Sequence, residues 1–254
     1  METGYNYFLV FLSYCISVLG SYTALKLAAG MSLSRDTNTF WVWLGAAAFA
    51  LGGGGIWAMH FVGMLAYETP VDFGYNLVTT MLSLLLAVGV VAIGLFLVAR
   101  RPDGIGRLLA GGTVTGLGVT AMHYSGMAAM VMPGVLVYDP ALVAASMMIA
   151  IGASICALWL AFNVQVAWQR VVSALVMGFA VCGMHYTGMA ALHLQLDHDV
   201  VGSLALMDYA AVVDPAVLAV IIAVVVVGLM LSLLVGTMAG YEEQRRLEAV
   251  RVRN

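Results

Sequence analysis

Charge is scarce in this chain. Only 9% of its 254 residues are charged and 63% are apolar, so it lacks the polar surface that an ordinary soluble domain presents to water. With ten basic residues and a net charge of -3, it also lacks the basic stripe that nucleic acid requires. Cysteine is rare: Cys15, Cys156 and Cys182 each fall inside an apolar stretch, which excludes a disulfide framework and leaves free thiols as the default. The opening residues, Met1-Glu2-Thr3-Gly4, have no basic segment of the kind that precedes a cleaved signal peptide, so the first apolar stretch is expected to remain as a helix.

What the chain has is hydrocarbon in lengths suited to a bilayer. Mean hydropathy is +1.01, and seven stretches are long enough to cross a hydrocarbon core of roughly 30 Å. They are read as helices over 5–28, 40–67, 76–99, 108–132, 141–163, 171–194 and 214–238. The expected fold is an all-α membrane protein with seven transmembrane helices: three two-helix repeats plus a seventh helix. One seven-helix domain spans 1–240, and 241–254 reads as a cytoplasmic tail or the start of a linker. Gly52 to Gly55 and Gly111-Gly112 suit close helix approach in lipid.

The charges are sorted. Lys26, Arg35, Arg100, Arg101, Arg107, Arg170, Arg245, Arg246, Arg251 and Arg253 all fall on one side of this arrangement. Glu2, Glu68, Asp72, Asp139, Asp197, Asp199, Asp208 and Asp214 fall on the other. The positive-inside rule then places the N-terminus outside and the C-terminus in the cytoplasm. Trp41, Trp43 and Trp168 at one boundary and Tyr67, Tyr75, Tyr138 and Tyr209 at the other read as aromatic belts. Membrane lipid is the first expected partner, and nucleic acid is not one.

Against this background one unit is written three times. Met59-His60, Met122-His123 and Met184-His185 recur at intervals of 63 and 62 residues, and repeats of this kind define an architecture. Gly53, Gly116 and Gly178 lie seven residues before each histidine. Phe61, Tyr124 and Tyr186 follow at +1, Gly63, Gly126 and Gly188 at +3, Met64, Met127 and Met189 at +4, and Ala66, Ala129 and Ala191 at +6. At about 100° per residue the -7 glycine, the histidine, the +3 glycine and the +4 methionine share one helix face. Each histidine sits on the order of 10 Å below the outer end of its helix at 1.5 Å per residue.

Three equivalent faces related by an axis along the membrane normal can converge. Imidazole with thioether is a soft to borderline donor set, and with no carboxylate at that depth it favours copper. The candidate ligands are His60, His123, His185, Met64, Met127 and Met189. Met59, Met122 and Met184, about 100° off the face, are weaker candidates, as are Cys182 and His193, which extend the third repeat alone. Glu68 is a candidate acceptor for an imidazole N-H. Met130, Met132, Met147, Met148, Met177 and Met230 read as packing, and His198 as a solvated loop residue. A zinc-dependent membrane hydrolase is the rival enzymatic reading, and a copper or haem carrier the rival transport reading. The hydrolase lacks a carboxylate base on the histidine faces, and the carrier lacks a ladder of ligands continuing inward.

These residues carry a resemblance. Met184-His185-Tyr186-Thr187 resembles the signature of the MHYT domain, a bacterial integral membrane sensor module, with Met122-His123-Tyr124-Ser125 and Met59-His60-Phe61-Val62 as its companions. The similarity covers residues 5–238. It implies copper held near the outer face through Met, His and Cys, and sensing of a diatomic gas such as oxygen, carbon monoxide or nitric oxide. It also implies fusion or coupling to a cytoplasmic output: a cyclic-di-GMP enzyme, a kinase or a transcription regulator. The chain itself is then a sensor or binding module and no enzyme, either stand-alone or the sensor part of a longer protein. The first repeat departs from the signature at Phe61-Val62, where the tyrosine hydroxyl is missing.

Overall fold

The computed structural model describes residues 4–33, 37–69, 73–100, 104–132, 134–164, 166–195 and 212–231, with 233–235, 237, 238 and 245. Seven long helices run through these residues: α1 Tyr7–Leu33, α2 Thr37–Leu65, α3 Leu77–Ala99, α4 Ile105–Ala128, α5 Pro140–Asn163, α6 Ala167–Ala190 and α7 Pro215–Val235. Six are long and apolar enough to cross a membrane. The exception is α4, whose 24 residues are diluted by glycine and threonine.

The odd helices begin on a polar cap. Asn6 Oδ1 accepts from the N-H groups of Phe8 and Leu9, Asn76 Oδ1 from Thr79, Asp139 Oδ1 from Ala141 and Leu142, and Asp214 Oδ1 from Ala216 and Val217. Each such cap contributes about 1 kcal/mol, and Pro140 and Pro215 occupy first-turn positions that need no donor. Inside α2 the segment Phe49–Ala58 is wound as π-helix. It carries the four consecutive glycines, which give the backbone freedom to widen, and π-helical segments often mark functional sites.

One end of the bundle is clasped. The main-chain N-H groups of Asn6, Asn76 and Asp139 donate to the carbonyls of Ala66, Ala129 and Ala191, each at 2.8 Å, so α1, α3 and α5 each start on the end of the even helix of the same repeat. Short antiparallel pairs extend these contacts: β1 Gly4–Tyr5 with β2 Tyr67–Glu68, β3 Gly74–Asn76 with β4 Met130–Val131, and β5 Val135–Tyr138 with β6 Leu192–Gln195. β7 Val212–Val213 adds to the other edge of β3. The fold is therefore helical with a collar of small sheets. The even helices stop at Leu65, Ala128 and Ala190, short of the expected 67, 132 and 194, because the apolar residues beyond them are used in strands. In the opposite sense, α1 runs to Leu33 and α2 begins at Thr37.

Each of α1, α3 and α5 is wedged between two even helices. A Cβ on Gly116 would meet the backbone of Ile151 in α5 at 2.5 Å, one on Gly178 would meet the Val18 nitrogen in α1 at 3.2 Å, and one on Gly53 would touch Leu84 in α3 at 3.4 Å. These -7 glycines seat α4 on α5, α6 on α1 and α2 on α3, while the clasps join α4 to α3, α6 to α5 and α2 to α1. Six helices thus form a closed ring, and α7 packs against it from outside. Its Met230 is fully buried and lies against Gly54 of α2.

Of the described basic residues, Lys26, Arg100, Arg107 and Arg170 lie toward the end opposite the clasps, and Glu68, Asp139 and Asp214 lie at the clasped end. Two of the four expected outer-belt tyrosines are not interfacial: Tyr75 is 1% exposed and Tyr67 8%, because both pack inward, while Tyr138 is half-buried. Trp41 and Trp168 are exposed, as belt residues are. Met148 is also exposed, facing outward from α5 and not into packing. Glu2, Arg35, Asp72, Arg101, Asp197, His198, Asp199, Asp208, Tyr209 and nearly all of the 241–254 tail lie outside the described residues.

Candidate metal centre

The closed ring aims three histidines at one point. His60 on α2, His123 on α4 and His185 on α6 are each no more than 1% exposed. Their Nδ1 atoms form a near-equilateral triangle: 3.1 Å between His123 and His60, 3.2 Å between His60 and His185, and 3.3 Å between His185 and His123. The rings stand edge to face, with centroids 4.9 to 5.1 Å apart. Among the described residues this is the group of His, Cys, Asp and Glu side chains close enough to share a metal ion.

The triangle does not satisfy itself. A neutral imidazole nitrogen is either a donor or an acceptor, so three Nδ1 atoms cannot form a closed ring of mutual hydrogen bonds. Buried polar groups without partners are costly in a hydrocarbon setting. Three lone pairs pointed at a common centre do, however, match the donor face of a small cation. Two nitrogens on a tetrahedral ion at about 2.0–2.1 Å are about 3.3 Å apart, and the observed sides of 3.1 to 3.3 Å meet that requirement.

The opposite ring nitrogens explain the +3 glycines. All three Nε2 atoms are buried without a hydrogen-bond partner. Each lies where a side chain on a glycine of another repeat would be: His60 Nε2 against Gly126, His123 Nε2 against Gly188, and His185 Nε2 against Gly63. The three imidazoles therefore interlock in a cycle, each one seated on the next motif helix.

Around the cluster runs an aromatic layer. Phe61, Tyr124 and Tyr186 meet the edges of their own histidines at 4.8 Å. Tyr75, Tyr138 and Tyr5 then pack on them at 5.2, 5.4 and 5.8 Å. Burial against this layer pushes the phenols of Tyr5 and Tyr138 up to about 12, with neighbouring tyrosines adding to the effect. The Tyr124 hydroxyl is 2.9 Å from Ser146 Oγ and the Tyr186 hydroxyl 3.0 Å from Ser13 Oγ. In the first repeat, where Phe61 has no hydroxyl, Trp57 Nε1 donates instead to Ser83 Oγ at 2.9 Å. Ser13, Ser83 and Ser146 each stand seven residues after the capping Asn6, Asn76 or Asp139. The odd helices carry a threefold pattern of their own, Tyr-[Asn/Asp]-x6-Ser, which alignment on the histidines overlooks.

The remaining candidates divide. Met64, Met127 and Met189, one turn from the histidines toward the clasps, are all buried, and so are Met59, Met122 and Met184. Cys182 is buried beside Ser13 and Tyr186 on the α1 side of α6, outside the histidine group. His193 is exposed on β6 opposite Val137, also outside it. Glu68 is exposed on β2 opposite Gly4 and accepts nothing from the histidines, whose hydrogen-bonding nitrogens face only one another.

The repeat is also recognisable by comparison. The family model MHYT, described as "Bacterial signalling protein N terminal repeat", matches three segments, 53–111, 116–174 and 178–248. The chain is 47% identical over 199 residues to the bifunctional diguanylate cyclase/cyclic di-GMP phosphodiesterase MucR of Pseudomonas aeruginosa, and 38% identical over 198 residues to the cyclic di-GMP phosphodiesterase NbdA of the same species. It is 34% identical over 200 residues to the signaling protein YkoW of Bacillus subtilis. Each match takes in 76% of this chain but only 29%, 25% and 25% of those proteins, so the chain spans about a quarter of the relatives' length. No solved structure matches it significantly.

Proposed function

Because this chain belongs to the MHYT family of bacterial signalling-protein repeats, we propose that it is a copper-binding membrane sensor responding to a diatomic gas or to redox state, coupled to a cytoplasmic output. The sensor region alone matches MucR and NbdA, and the enzymatic activities in their names belong to parts beyond the match. A cyclic-di-GMP enzyme is accordingly the favoured output, attached to this chain or acting as its partner, with a kinase or regulator as the other forms. All seven helices cross the inner membrane in this reading, α4 among them because it lies within the closed ring. The N-terminus and clasps face outward, and the basic end faces the cytoplasm.

The observation that carries the metal reading is the Nδ1 triangle. His60, His123 and His185 hold the ion, and Met64, Met127 and Met189 supply soft donors from one turn farther out, which selects Cu(I) over harder ions. Bound copper supplies a redox-active centre with affinity for small diatomic ligands. The chain's own part is to orient three lone pairs, exclude water, and register any change in ring position. Since each imidazole is seated on a glycine of another motif helix, a rotated ring presses on its neighbour's backbone. From α2 the contact of Gly54 with Met230 leads to α7, the last helix before the C-terminal side. A sensor of this kind requires two packings that bind the stimulus differently.

Copper, zinc and iron counts on protein purified from membranes without added metal test this reading. About one copper per chain, lost in His123→Ala, is the expected result. Stoichiometric zinc without copper turns the site toward a hydrolase, since three imidazoles suit zinc as well; against that reading, no carboxylate joins the cluster among the described residues. A Soret band with stoichiometric haem defeats both.

A further inference from the structure

Directly inward of the histidine cluster the bundle is hollow. A cavity of ≈ 30 Å³ is lined by Ile56, Val119 and Val181, which are the residues four before His60, His123 and His185. On a helix the -4 position shares the face of the residue it precedes, one turn down. Because the three histidines meet at one point, the three residues beneath them enclose the next space along the same axis. Thr115 and Met177, eight before their histidines, continue the wall for another turn, and Met184 reaches it from beside His185.

The lining selects what can enter. Only Thr115 and Ser154 offer polar side chains, and the Thr115 hydroxyl is already donating to the Val90 carbonyl. A buried water needs two to four polar partners, whereas cavities walled by hydrocarbon stay dry and take up xenon or similar apolar guests. The space is adequate for one such guest: about 10–15 Å³ is the threshold for a single water-sized occupant. On the lateral side the wall consists of small, half-buried residues, Ala153 and Ala157 of α5 and Ala180 of α6. That side borders the exposed, lipid-compatible surface of the two helices, where Met148, Trp159, Val176 and Phe179 point outward.

We propose that this axial cavity is a binding site for one small apolar molecule of diatomic size, entering laterally between α5 and α6 and held one helical turn beneath the three imidazoles. Apolar gases dissolve in the hydrocarbon of the bilayer, so a site opening toward lipid draws on the phase in which such molecules concentrate. The location deepens the gas-sensing reading by placing a docking station next to the cluster, yet occupancy of the cavity does not depend on a metal.

Xenon is the probe, applied to the full chain in lipid nanodiscs and followed by the ¹²⁹Xe chemical shift, with xenon-pressurised crystals to locate it. One saturable site per chain is expected in metal-free and metal-loaded protein alike, with the xenon between the Ile56–Val119–Val181 layer and Ala150. Ala150→Leu, which grows a side chain into the cavity from α5, should weaken binding at least tenfold. Val181→Phe, filling it from α6, should do the same, so a folding failure of one variant leaves the other decisive. Ser154→Ala, which removes a polar group without filling space, should leave binding within twofold or tighten it. Absence of a saturable site, xenon bound only elsewhere, affinity unchanged in a folded filled variant, or ordered water in the cavity each overturns the proposal. Xenon binding in protein that never acquires copper refutes the metal reading and leaves this site standing.

Discussion

His60 Nε2 rests against Gly126, a residue 66 positions later on a different helix. The same relation joins His123 to Gly188 and His185 to Gly63, so the conformation of each imidazole is set by the backbone of another repeat. A single methyl group added at one glycine should therefore displace a histidine that is distant in sequence.

Gly126→Ala, Gly188→Ala and Gly63→Ala are expected to lower copper affinity by at least tenfold, through His60, His123 and His185 respectively. Gly183→Ala is the control: it lies two residues from His185, with nothing within 4 Å of the added methyl, and alanine is the better helix former by up to about 1 kcal/mol. It should keep its copper and melt no lower than the parent. Equal losses in Gly183→Ala and Gly188→Ala would show the effect to be generic.

Loss of one imidazole should empty the whole centre. With three Nδ1 atoms around one point, His60→Ala, His123→Ala and His185→Ala should each remove far more than a third of the copper measured by elemental analysis. Losses of one third apiece, additive in double variants, would mean separate sites. Met64→Leu should cost more affinity than Met59→Leu, and Cys182→Ala should be mild.

The first repeat has exchanged one hydrogen bond for another. Tyr124→Phe and Tyr186→Phe should each lose about 0.5–1.5 kcal/mol of stability in thermal or denaturant unfolding. Phe61→Tyr, far from restoring a missing feature, should destabilise by about 1–3 kcal/mol, because its new hydroxyl is buried where Trp57 already occupies Ser83. Trp57→Phe combined with Phe61→Tyr should recover part of that loss. A stabilising Phe61→Tyr single variant would contradict the account.

Membrane orientation is open to reporter fusions. A periplasmic reporter fused after Tyr138 should be active and one fused after Pro102 inactive. The opposite pattern would turn the clasped end toward the cytoplasm.

The clasps should loosen in alkali. Free tyrosine ionises near pH 10, whereas burial raises Tyr5 and Tyr138 to about 12. A group whose folded pKa is raised contributes stability in full below the unfolded value and loses it as pH climbs through the folded one. Stability should hold up to about pH 10 and fall between 10 and 12, with tyrosinate absorbance from these residues rising late. Titration of both phenols at the free value would show them to be solvated.

Much of this was legible because the histidine motif repeats at a fixed period: the convergence of His60, His123 and His185 follows from three equal faces at one depth. The helix ends were not, because Met130 and Val131 are as apolar as the helix before them, and hydropathy cannot distinguish a strand that pairs with Gly74 and Tyr75 from another helical turn. Tyr75 read as an interfacial residue from its place near a span end, yet it turns inward onto Phe61. The Ser13, Ser83 and Ser146 pattern was hidden because Asn6 and Asn76 are 70 residues apart while Asn76 and Asp139 are 63 apart. The cavity was invisible for a different reason, since an unfilled space depends on how Ile56, Val119 and Val181 from three helices meet.

The ring closes through residues made far apart in synthesis. Ser13 and Tyr5 leave the ribosome well before the Tyr186 that they contact, which is 173 positions beyond Ser13. Until α6 is inserted, α1 lacks its second neighbour and two imidazoles lack their third. The cluster is therefore completed only by the last repeat, and contacts so distant in sequence form late. If the cluster holds the proposed copper, its capture becomes an accuracy check on biogenesis: a chain broken off before His185, or one whose third repeat has been misinserted, lacks the third imidazole and cannot complete the cluster.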